Sequence, residues 1–236
     1  MCGIVGYIGP RPVLPILIGG LKKLEYRGYD SAGCAVVTPD NTMLVFKAKG
    51  KVSNLEEKAK ECRQTCTLGI AHTRWATHGI PSETNAHPHL SQSGNLAIVH
   101  NGIIENYATL RDQLRKRGYT FKSETDTEVL VQLIEYIMNI RHSDLATSVR
   151  SALRLCIGAY AIAVVDRRVP TQMVAARKSS PLAIGMGKEN GEFFIASDAS
   201  PIAEYTNRIV YLNDEDVALI EQGKELQIEN LRSGSV

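Results

Sequence analysis

Apolar residues along the chain follow two spacings, one typical of helices and one typical of strands. Helical spacing predicts helices over residues 12–26, over a short segment that starts at Ser53 and carries Cys62, over 107–117, over the segment after 124–128, and over about 144–155. Short β-branched runs predict strands at 4–8, 34–37, 43–47, 68–71, 96–99, 160–165, 173–176, 182–184, 193–196, 209–212, 217–220 and 225–228. Strands before and after a group of helices predict two stacked sheets with helices outside them.

Capping signals mark the starts of two predicted helices. Thr125 and Glu128 have the spacing of a capping box, and so do Ser53 and Glu56. Asp126 falls in the first turn of its helix, where the helix dipole alone favours a carboxylate. Asp126 therefore has a purely structural interpretation as well as a functional one.

Composition limits the kinds of partner that we expect. The chain has 236 residues with 27 Lys and Arg against 25 Asp and Glu, and no linker-like stretch divides it, so we predict one domain over residues 1–236. The basic clusters are short and lack interleaved aromatic residues, so nucleic acid is not an expected partner. The apolar run at 13–21 is broken by Pro15, Gly19 and Gly20, and no basic leader precedes it, so we expect neither a signal peptide nor a membrane span.

Five cysteines, an odd number, without an export signal favour reduced thiols in the cytoplasm.

Two groups of residues suggest ligand sites that the sequence supports poorly. Cys62 and Cys66 with His87 and His89 suggest a zinc site, but neither spacing matches a usual zinc pattern, so we expect no metal. Residues 91–94 (Ser-Gln-Ser-Gly) resemble a phosphate-binding loop, but a strand follows them and not a helix, so we interpret them as a turn.

Cys2 has the chemistry of a nucleophile. It follows the initiator methionine and leads directly into the apolar run at 4–8. If Met1 is removed, a thiol of pKa about 8.5 lies beside an α-amine of pKa about 7.7 to 8.0, and the amine can act as the base. If Met1 is retained, that nitrogen is a peptide nitrogen without basicity. Any protein can begin Met-Cys, so the dipeptide alone is also compatible with no function.

Two polar clusters follow buried strands, where loops commonly carry function. Residues 72–79 (His-Thr-Arg-Trp-Ala-Thr-His-Gly) hold the only tryptophan of the chain. Within them, the glycine-bounded segment 74–79 is a candidate lid. Asn101 and Gly102 follow the strand predicted at 96–99. An Asn-Gly pair is either a hairpin turn or, at a strand-to-helix junction, a side-chain amide and a backbone N–H that bind an oxyanion.

These motifs together resemble those of a known family. The opening Cys-Gly-Ile-Val-Gly, residues 25–33 (Glu-Tyr-Arg-Gly-Tyr-Asp-Ser-Ala-Gly), 72–79, 100–102 and 123–126 closely resemble the glutaminase (class II glutamine amidotransferase) domain of the glutamine:fructose-6-phosphate amidotransferases. The resemblance covers essentially the whole chain. It implies an α+β fold, the four-layer αββα sandwich of the N-terminal nucleophile hydrolases.

The resemblance also implies the roles of individual residues. The implied catalytic residues are Cys2, Asn101, Gly102 and Arg27, and the residues implied to surround bound glutamine are Arg74, Trp75, Thr77, His78, Gly102 and Asp126. Chemistry supports two of these roles independently. Arg74 can bind the α-carboxylate of glutamine bidentately, and Asp126 can accept hydrogen bonds from its α-ammonium group.

The implied reaction is hydrolysis of L-glutamine through a γ-glutamyl thioester, without a cofactor or a metal. Fructose 6-phosphate is expected to be a partner only through a sugar-phosphate isomerase domain that this chain lacks, and the parent enzyme is expected to be a homodimer or larger. The alternatives are another class II amidotransferase, a thiol hydrolase of another amide, and a catalytically silent module that binds glutamine or a partner protein.

Overall fold

Two antiparallel sheets stack face to face in the described part of the chain. The computed structural model describes residues 2–28, 30–75, 82–188 and 191–235. The first sheet has seven described strands in the order β11-β9-β10-β1-β4-β2-β3, namely β1 (Gly3–Ile8), β2 (Ser31–Val37), β3 (Met43–Lys49), β4 (Leu68–Arg74), β9 (Ala183–Met186), β10 (Phe193–Ala196) and β11 (Ile209–Tyr211). The second has seven in the order β14-β13-β12-β8-β7-β6-β5, namely β5 (His89–Leu90), β6 (Leu96–Ile104), β7 (Gly158–Asp166), β8 (Gln172–Lys178), β12 (Asp216–Glu221), β13 (Gln227–Asn230) and β14 (Gly234–Ser235).

Helices cover the outer face of each sheet. The first sheet carries α1 (Val13–Leu24), which continues into a 3₁₀ turn at Glu25–Arg27, and α2 (Val52–Ala59). The second carries α3 (Tyr107–Arg115), α4 (Asp126–Arg141) and α5 (Leu145–Leu153). Three buried cores separate these layers, one between the sheets and one beneath each helical layer. The predicted αββα sandwich is therefore confirmed.

Strand β1 shows why the central strands are apolar throughout. Ile4 and Ile8 point into the core between the sheets, whereas Val5 and Tyr7 point into the core under α1. Because side chains alternate along a strand, a strand covered on both faces needs apolar residues at successive positions. Residues 3–8 are thus held rigidly in the middle of a sheet.

The helix starts agree with one predicted cap and contradict the other. Thr125 is the N-cap of α4, and its hydroxyl accepts from the Glu128 backbone N–H at 3.2 Å, as predicted. Helix α2 starts one residue before Ser53, so the predicted Ser53 cap is wrong. Instead, the carboxylate of Glu25 accepts from the Val52 N–H at 2.7 Å. A carboxylate from a distant turn thus replaces the local cap. The spacing of residues around Ser53 cannot indicate such a contact.

Helix α2 also ends earlier than predicted. Its last residue is Ala59, so Cys62 lies beyond the helix, and the prediction that the helix carries this cysteine is wrong. The Cys62 and Cys66 sulfur atoms lie 3.9 Å apart beside the core under α1 and α2. His87 and His89 are instead buried against the N-terminus of α4.

The predicted strands 68–71 and 96–99 are too short. Strand β4 continues to Arg74, which pairs with Ser31, and β6 continues through Asn101 and Gly102 to Ile104. The polar residues stay in the ladders because cross-strand pairing satisfies their backbone groups. The Asn-Gly pair is therefore neither a hairpin turn nor a strand-to-helix junction.

Residues 91–94 form the predicted turn, between β5 and β6. The Ser91 N–H donates to the Leu96 carbonyl at 3.0 Å. The Glu135 carboxylate accepts from the Ser93 N–H at 3.3 Å and from the Ser93 hydroxyl. A carboxylate of the chain itself therefore uses the donors that a phosphate would need. Within the described ranges, no helix has the length and apolar character to cross a membrane.

Candidate active site

Cys2 lies immediately before β1, and a serine of another strand fixes the start of β1. The Ile4 N–H donates to the Ser197 hydroxyl at 3.0 Å, and the Ser197 N–H donates to the Ile4 carbonyl at 3.1 Å. Ser197 directly follows β10, which pairs with β1. Sequence reasoning did not select Ser197, and its only signal was a hydroxyl at the end of a predicted strand.

A cavity of about 330 Å³ opens beside Cys2. Predicted site residues in its wall are Cys2, Arg27, Arg74, Trp75, Asn101, Gly102 and Asp126. Further wall residues that sequence reasoning did not assign to the site include His72, His87, His100, Thr125, Ser180 and Ser197. Two other predicted residues, Thr77 and His78, lie outside the described residues. The fold thus gathers into one cavity residues that are far apart in sequence.

The Cys2 thiol is held by the backbone of Trp75. The Trp75 N–H donates to the sulfur at 3.2 Å, and the thiol lies 3.5 Å from the Trp75 carbonyl. Burial raises the pKa of the Cys2 thiol, although the Trp75 N–H acts in the opposite direction. The thiol is therefore protonated near neutral pH and needs a base to become a nucleophile.

Asn101 lies beside Cys2, on the facing sheet. Its Nδ2 donates to the Cys2 carbonyl at 3.1 Å, and its Oδ1 lies 2.9 Å from Nε2 of His72. An amide nitrogen carries two hydrogens. The Cys2 carbonyl accepts one, so the second is available to a group bound next to the thiol.

Gly102 has a backbone that other residues adopt poorly. Its φ is +127°, and a Cβ at this position would approach the Ala159 carbonyl oxygen to 2.2 Å. Glycine is thus required by both conformation and space. The distortion falls within β6, next to Asn101, where the strand lines the cavity.

Asp126 is a buried carboxylate in the first turn of α4. One oxygen, Oδ2, accepts from the Ile104 N–H at 2.7 Å and lies 3.9 Å from Nδ1 of His100. Only 11% of its side chain is exposed. It lies at the N-terminus of α4, where the helix dipole interacts favourably with a carboxylate. The cavity therefore has a fixed negative group in one wall.

Two arginines supply positive charge to the cavity. Arg27 ends the 3₁₀ turn after α1 and forms an ion pair with Asp198, with only 13% of its side chain exposed. Arg74, at the end of β4, is 5% exposed. Trp75 follows it and is 55% exposed at the cavity. Asp198 was not predicted from the sequence, because its partner Arg27 is 171 residues away.

Four histidines, His72, His87, His89 and His100, are buried beneath the cavity. Burial lowers the pKa of His72 to about 3 and lowers the pKa of the other three, so all four are neutral at physiological pH. The rings of His72 and His87 stack with centroids 4.1 Å apart. Among the residues that the structure describes, no three histidine, cysteine or carboxylate side chains are placed to hold a metal ion.

A cysteine at the start of a central strand of an αββα sandwich, next to an asparagine amide, defines the class as the N-terminal nucleophile hydrolases. A family model described as a glutamine amidotransferase domain matches residues 72–204. The chain therefore belongs to the glutamine amidotransferase domain family.

Named relatives narrow the comparison further. Over 231 residues the chain is 58% identical to the glutamine–fructose-6-phosphate aminotransferase (isomerizing) of Bacteroides thetaiotaomicron, with 98% of this chain and 37% of the relative covered. The same enzyme of Chlorobaculum tepidum is 56% identical, with 93% and 36% covered. The chain thus spans little more than a third of the length of these curated relatives.

Among solved structures, the fold matches a glutamine phosphoribosylpyrophosphate amidotransferase from B. subtilis complexed with ADP and GMP. The TM-score is 0.83 at 26% identity, and the match covers 99% of this chain and 50% of the other. A second match is the allosteric regulatory enzyme of purine biosynthesis, with a TM-score of 0.84 and 26% identity over 99% of this chain and 50% of that chain. Nearly the whole chain therefore corresponds to about half of each of these two longer chains.

Proposed function

We propose that this chain hydrolyses L-glutamine to glutamate and ammonia with Cys2 as the nucleophile. The observation that carries the proposal is the contact of the Asn101 amide with Cys2, 3.1 Å from Nδ2 to the Cys2 carbonyl, at the wall of a cavity of about 330 Å³. The contact supports the proposal because an amide donor next to Cys2 could bind the negative charge that develops on a tetrahedral intermediate.

The proposed reaction requires removal of Met1, which lies outside the described residues. The free α-amine of Cys2 then takes the thiol proton, and the sulfur attacks the side-chain carbonyl carbon of glutamine. Asn101 Nδ2–H and the Gly102 N–H stabilise the oxyanion. When the intermediate collapses, the C–N bond breaks, and the α-ammonium gives its proton to the leaving nitrogen, which departs as ammonia. Water then hydrolyses the γ-glutamyl thioester to glutamate and regenerates the thiol.

The proposed recognition of glutamine depends on the charges in the cavity wall. Arg74 binds the α-carboxylate, and Asp126 accepts from the α-ammonium group. Arg27, fixed by Asp198, adds positive charge near Cys2. Trp75, with Thr77 and His78, is proposed to complete the enclosure of the substrate.

We further propose that the chain is the glutaminase domain of a longer enzyme. The support is that it spans about 37% of a relative named glutamine–fructose-6-phosphate aminotransferase. In that enzyme, the ammonia released here would aminate fructose 6-phosphate in a separate isomerase domain, in a homodimer or larger assembly. By itself, the chain is proposed to release the ammonia to solution.

The direct test is labelling with an electrophilic diazoketone analogue of glutamine, followed by intact-mass and peptide mass spectrometry. We expect a chain that lacks Met1 to gain one adduct, on Cys2, and L-glutamine to slow the labelling. Cys62 is the internal control, because it is a partly exposed thiol outside the cavity. Glutamine binding without any adduct on Cys2 would favour a silent binding module and contradict the proposed nucleophile.

Substitution of Asp126 by asparagine tests substrate recognition. The asparagine oxygen still accepts from the Ile104 N–H, and the remaining changes are the lost charge and the lost acceptor of the long 3.4 Å contact from the Thr127 hydroxyl. We expect KM for glutamine to rise about 10- to 100-fold with kcat within about threefold, because one charge-assisted contact to the substrate is lost. The measurement is steady-state ammonia release.

A substrate lacking the α-amino group sharpens this test. Wild type should discriminate strongly against it, and Asp126→Asn should discriminate less, because the group that recognises the amine has lost its charge. The matched control is Glu124→Gln, a neighbouring carboxylate outside the cavity wall. Equal discrimination by wild type and Asp126→Asn would remove Asp126 from amine recognition.

A further inference from the structure

We propose that His72 is a positioning residue that fixes the Asn101 amide in the orientation in which its N–H groups face Cys2. The inference rests on the proposed oxyanion role of Asn101. His72 was not among the predicted site residues, and it does not need to touch the substrate. Its contact is with Oδ1 of Asn101, at 2.9 Å.

The hydrogen bonds around Asn101 determine both the amide orientation and the histidine tautomer. The Cys2 carbonyl can only accept, so the amide atom 3.1 Å from it must be the nitrogen. Oδ1 therefore faces Nε2 of His72. Because Oδ1 can only accept, Nε2 must carry the hydrogen. A flipped amide would place two oxygens against each other at the Cys2 carbonyl.

The donor keeps the same protonation state over the working pH range. His72 is 1% exposed, and burial lowers its pKa to about 3. A neutral imidazole has only one N–H. Since Asn101 Oδ1 accepts that hydrogen, the pair has one arrangement at neutral pH.

Strand pairing holds the backbone of His72 in place, and a stacked histidine covers one face of its ring. His72 pairs with both Ile4 and Gly33 in the first sheet. On one face it stacks on His87, whose Nδ1 accepts from the His100 N–H at 3.2 Å. A Cβ at Gly33 would approach the His87 carbonyl oxygen to 2.1 Å, so glycine at this position permits the close approach of His87.

Loss of the His72 N–H should therefore misplace Asn101 without removing it. Its Oδ1 would be left without a donor in a largely buried site, and the amide would gain by rotating or flipping. A flip turns an acceptor toward the oxyanion. The penalty falls on the transition state, so kcat changes more than KM.

The experiment compares His72→Phe, His72→Gln and His72→Asn in the chain that lacks Met1, with glutamine hydrolysis measured under steady-state conditions. Phenylalanine keeps a planar ring without a donor. The glutamine amide can reach the position of Nε2, whereas the shorter asparagine amide cannot. We expect kcat to fall about 10- to 100-fold in His72→Phe and His72→Asn with KM within about threefold, and His72→Gln to recover most of the loss.

A double-mutant cycle with Asn101→Ala separates positioning from general damage to the fold. If His72 acts through Asn101, adding His72→Phe or His72→Asn to Asn101→Ala should lower kcat by no more than about twofold. Alkylation of Cys2 by iodoacetamide needs no oxyanion site, so its rate should stay within about twofold of wild type in each variant that folds.

Either of two results would overturn the inference. One is wild-type kcat in both His72→Phe and His72→Asn while Asn101→Ala is impaired. The other is a further tenfold or larger loss when a His72 variant is added to Asn101→Ala. Failure of the proposed function is distinguishable, because it would appear as no glutamine hydrolysis by wild type. Full activity in Asn101→Ala would instead remove the oxyanion role of Asn101 on which the inference rests. If His72→Phe does not fold, the pair His72→Gln and His72→Asn decides the outcome.

Discussion

Replacing Cys2 by alanine is expected to reduce glutamine hydrolysis by at least about 10⁴-fold, a larger loss than is expected for Asn101→Ala or His72→Phe. The sulfur is the atom proposed to form the covalent bond to the substrate. No other cysteine lines the cavity in the described part of the chain. The remaining donors and charges cannot replace the missing nucleophile.

The Cys2→Ala measurement needs a readout of folding and a readout of binding. Alanine leaves the Cys2 carbonyl in place, and this carbonyl accepts from Asn101. We therefore expect a thermal transition within a few degrees of wild type and glutamine binding within about tenfold by calorimetry. Cys62→Ala is the matched control and should keep wild-type kcat. Ammonia release by Cys2→Ala at more than about 1% of the wild-type rate would assign the nucleophile elsewhere.

The layers of the fold could be predicted because they follow from local patterns. Strand β1 is apolar at successive positions because both of its faces are covered. Thr125 caps α4 by accepting from the N–H of Glu128, only three residues along the chain. Such signals lie within a few residues of the structure that they specify. The predicted layers and the start of α4 therefore agree with the structure.

The supporting contacts of the site could not be predicted, because they join distant segments. Asp198 pairs with Arg27 across 171 residues, and Ser197 binds the Ile4 N–H across 193. The extent of β6 was missed for a related reason. Asn101 and Gly102 have turn-like sequence preferences, but their pairing with β7 keeps them in the strand. Tertiary pairing thus overrides local preference at the residues proposed to carry the chemistry.

Replacing Asn101 by alanine is expected to lower kcat about 10²- to 10³-fold while KM for glutamine stays within about threefold. The amide is proposed to bind the oxyanion, which forms only after the sulfur has attacked. Its loss should therefore penalise the transition state and not the bound substrate. The measurement is steady-state glutamine hydrolysis by the chain that lacks Met1.

Asn101→Ala needs two controls. Asn139→Ala is the matched surface variant, since Asn139 is exposed on α4 outside the cavity wall, and it should keep wild-type kcat. Alkylation of Cys2 by iodoacetamide separates the oxyanion role of Asn101 from its contact with the Cys2 carbonyl; this reaction forms no oxyanion and should be unchanged in Asn101→Ala. Slower alkylation in proportion to kcat would mean that Asn101 mainly positions the thiol. Wild-type kcat would mean that the Gly102 N–H stabilises the oxyanion without the amide.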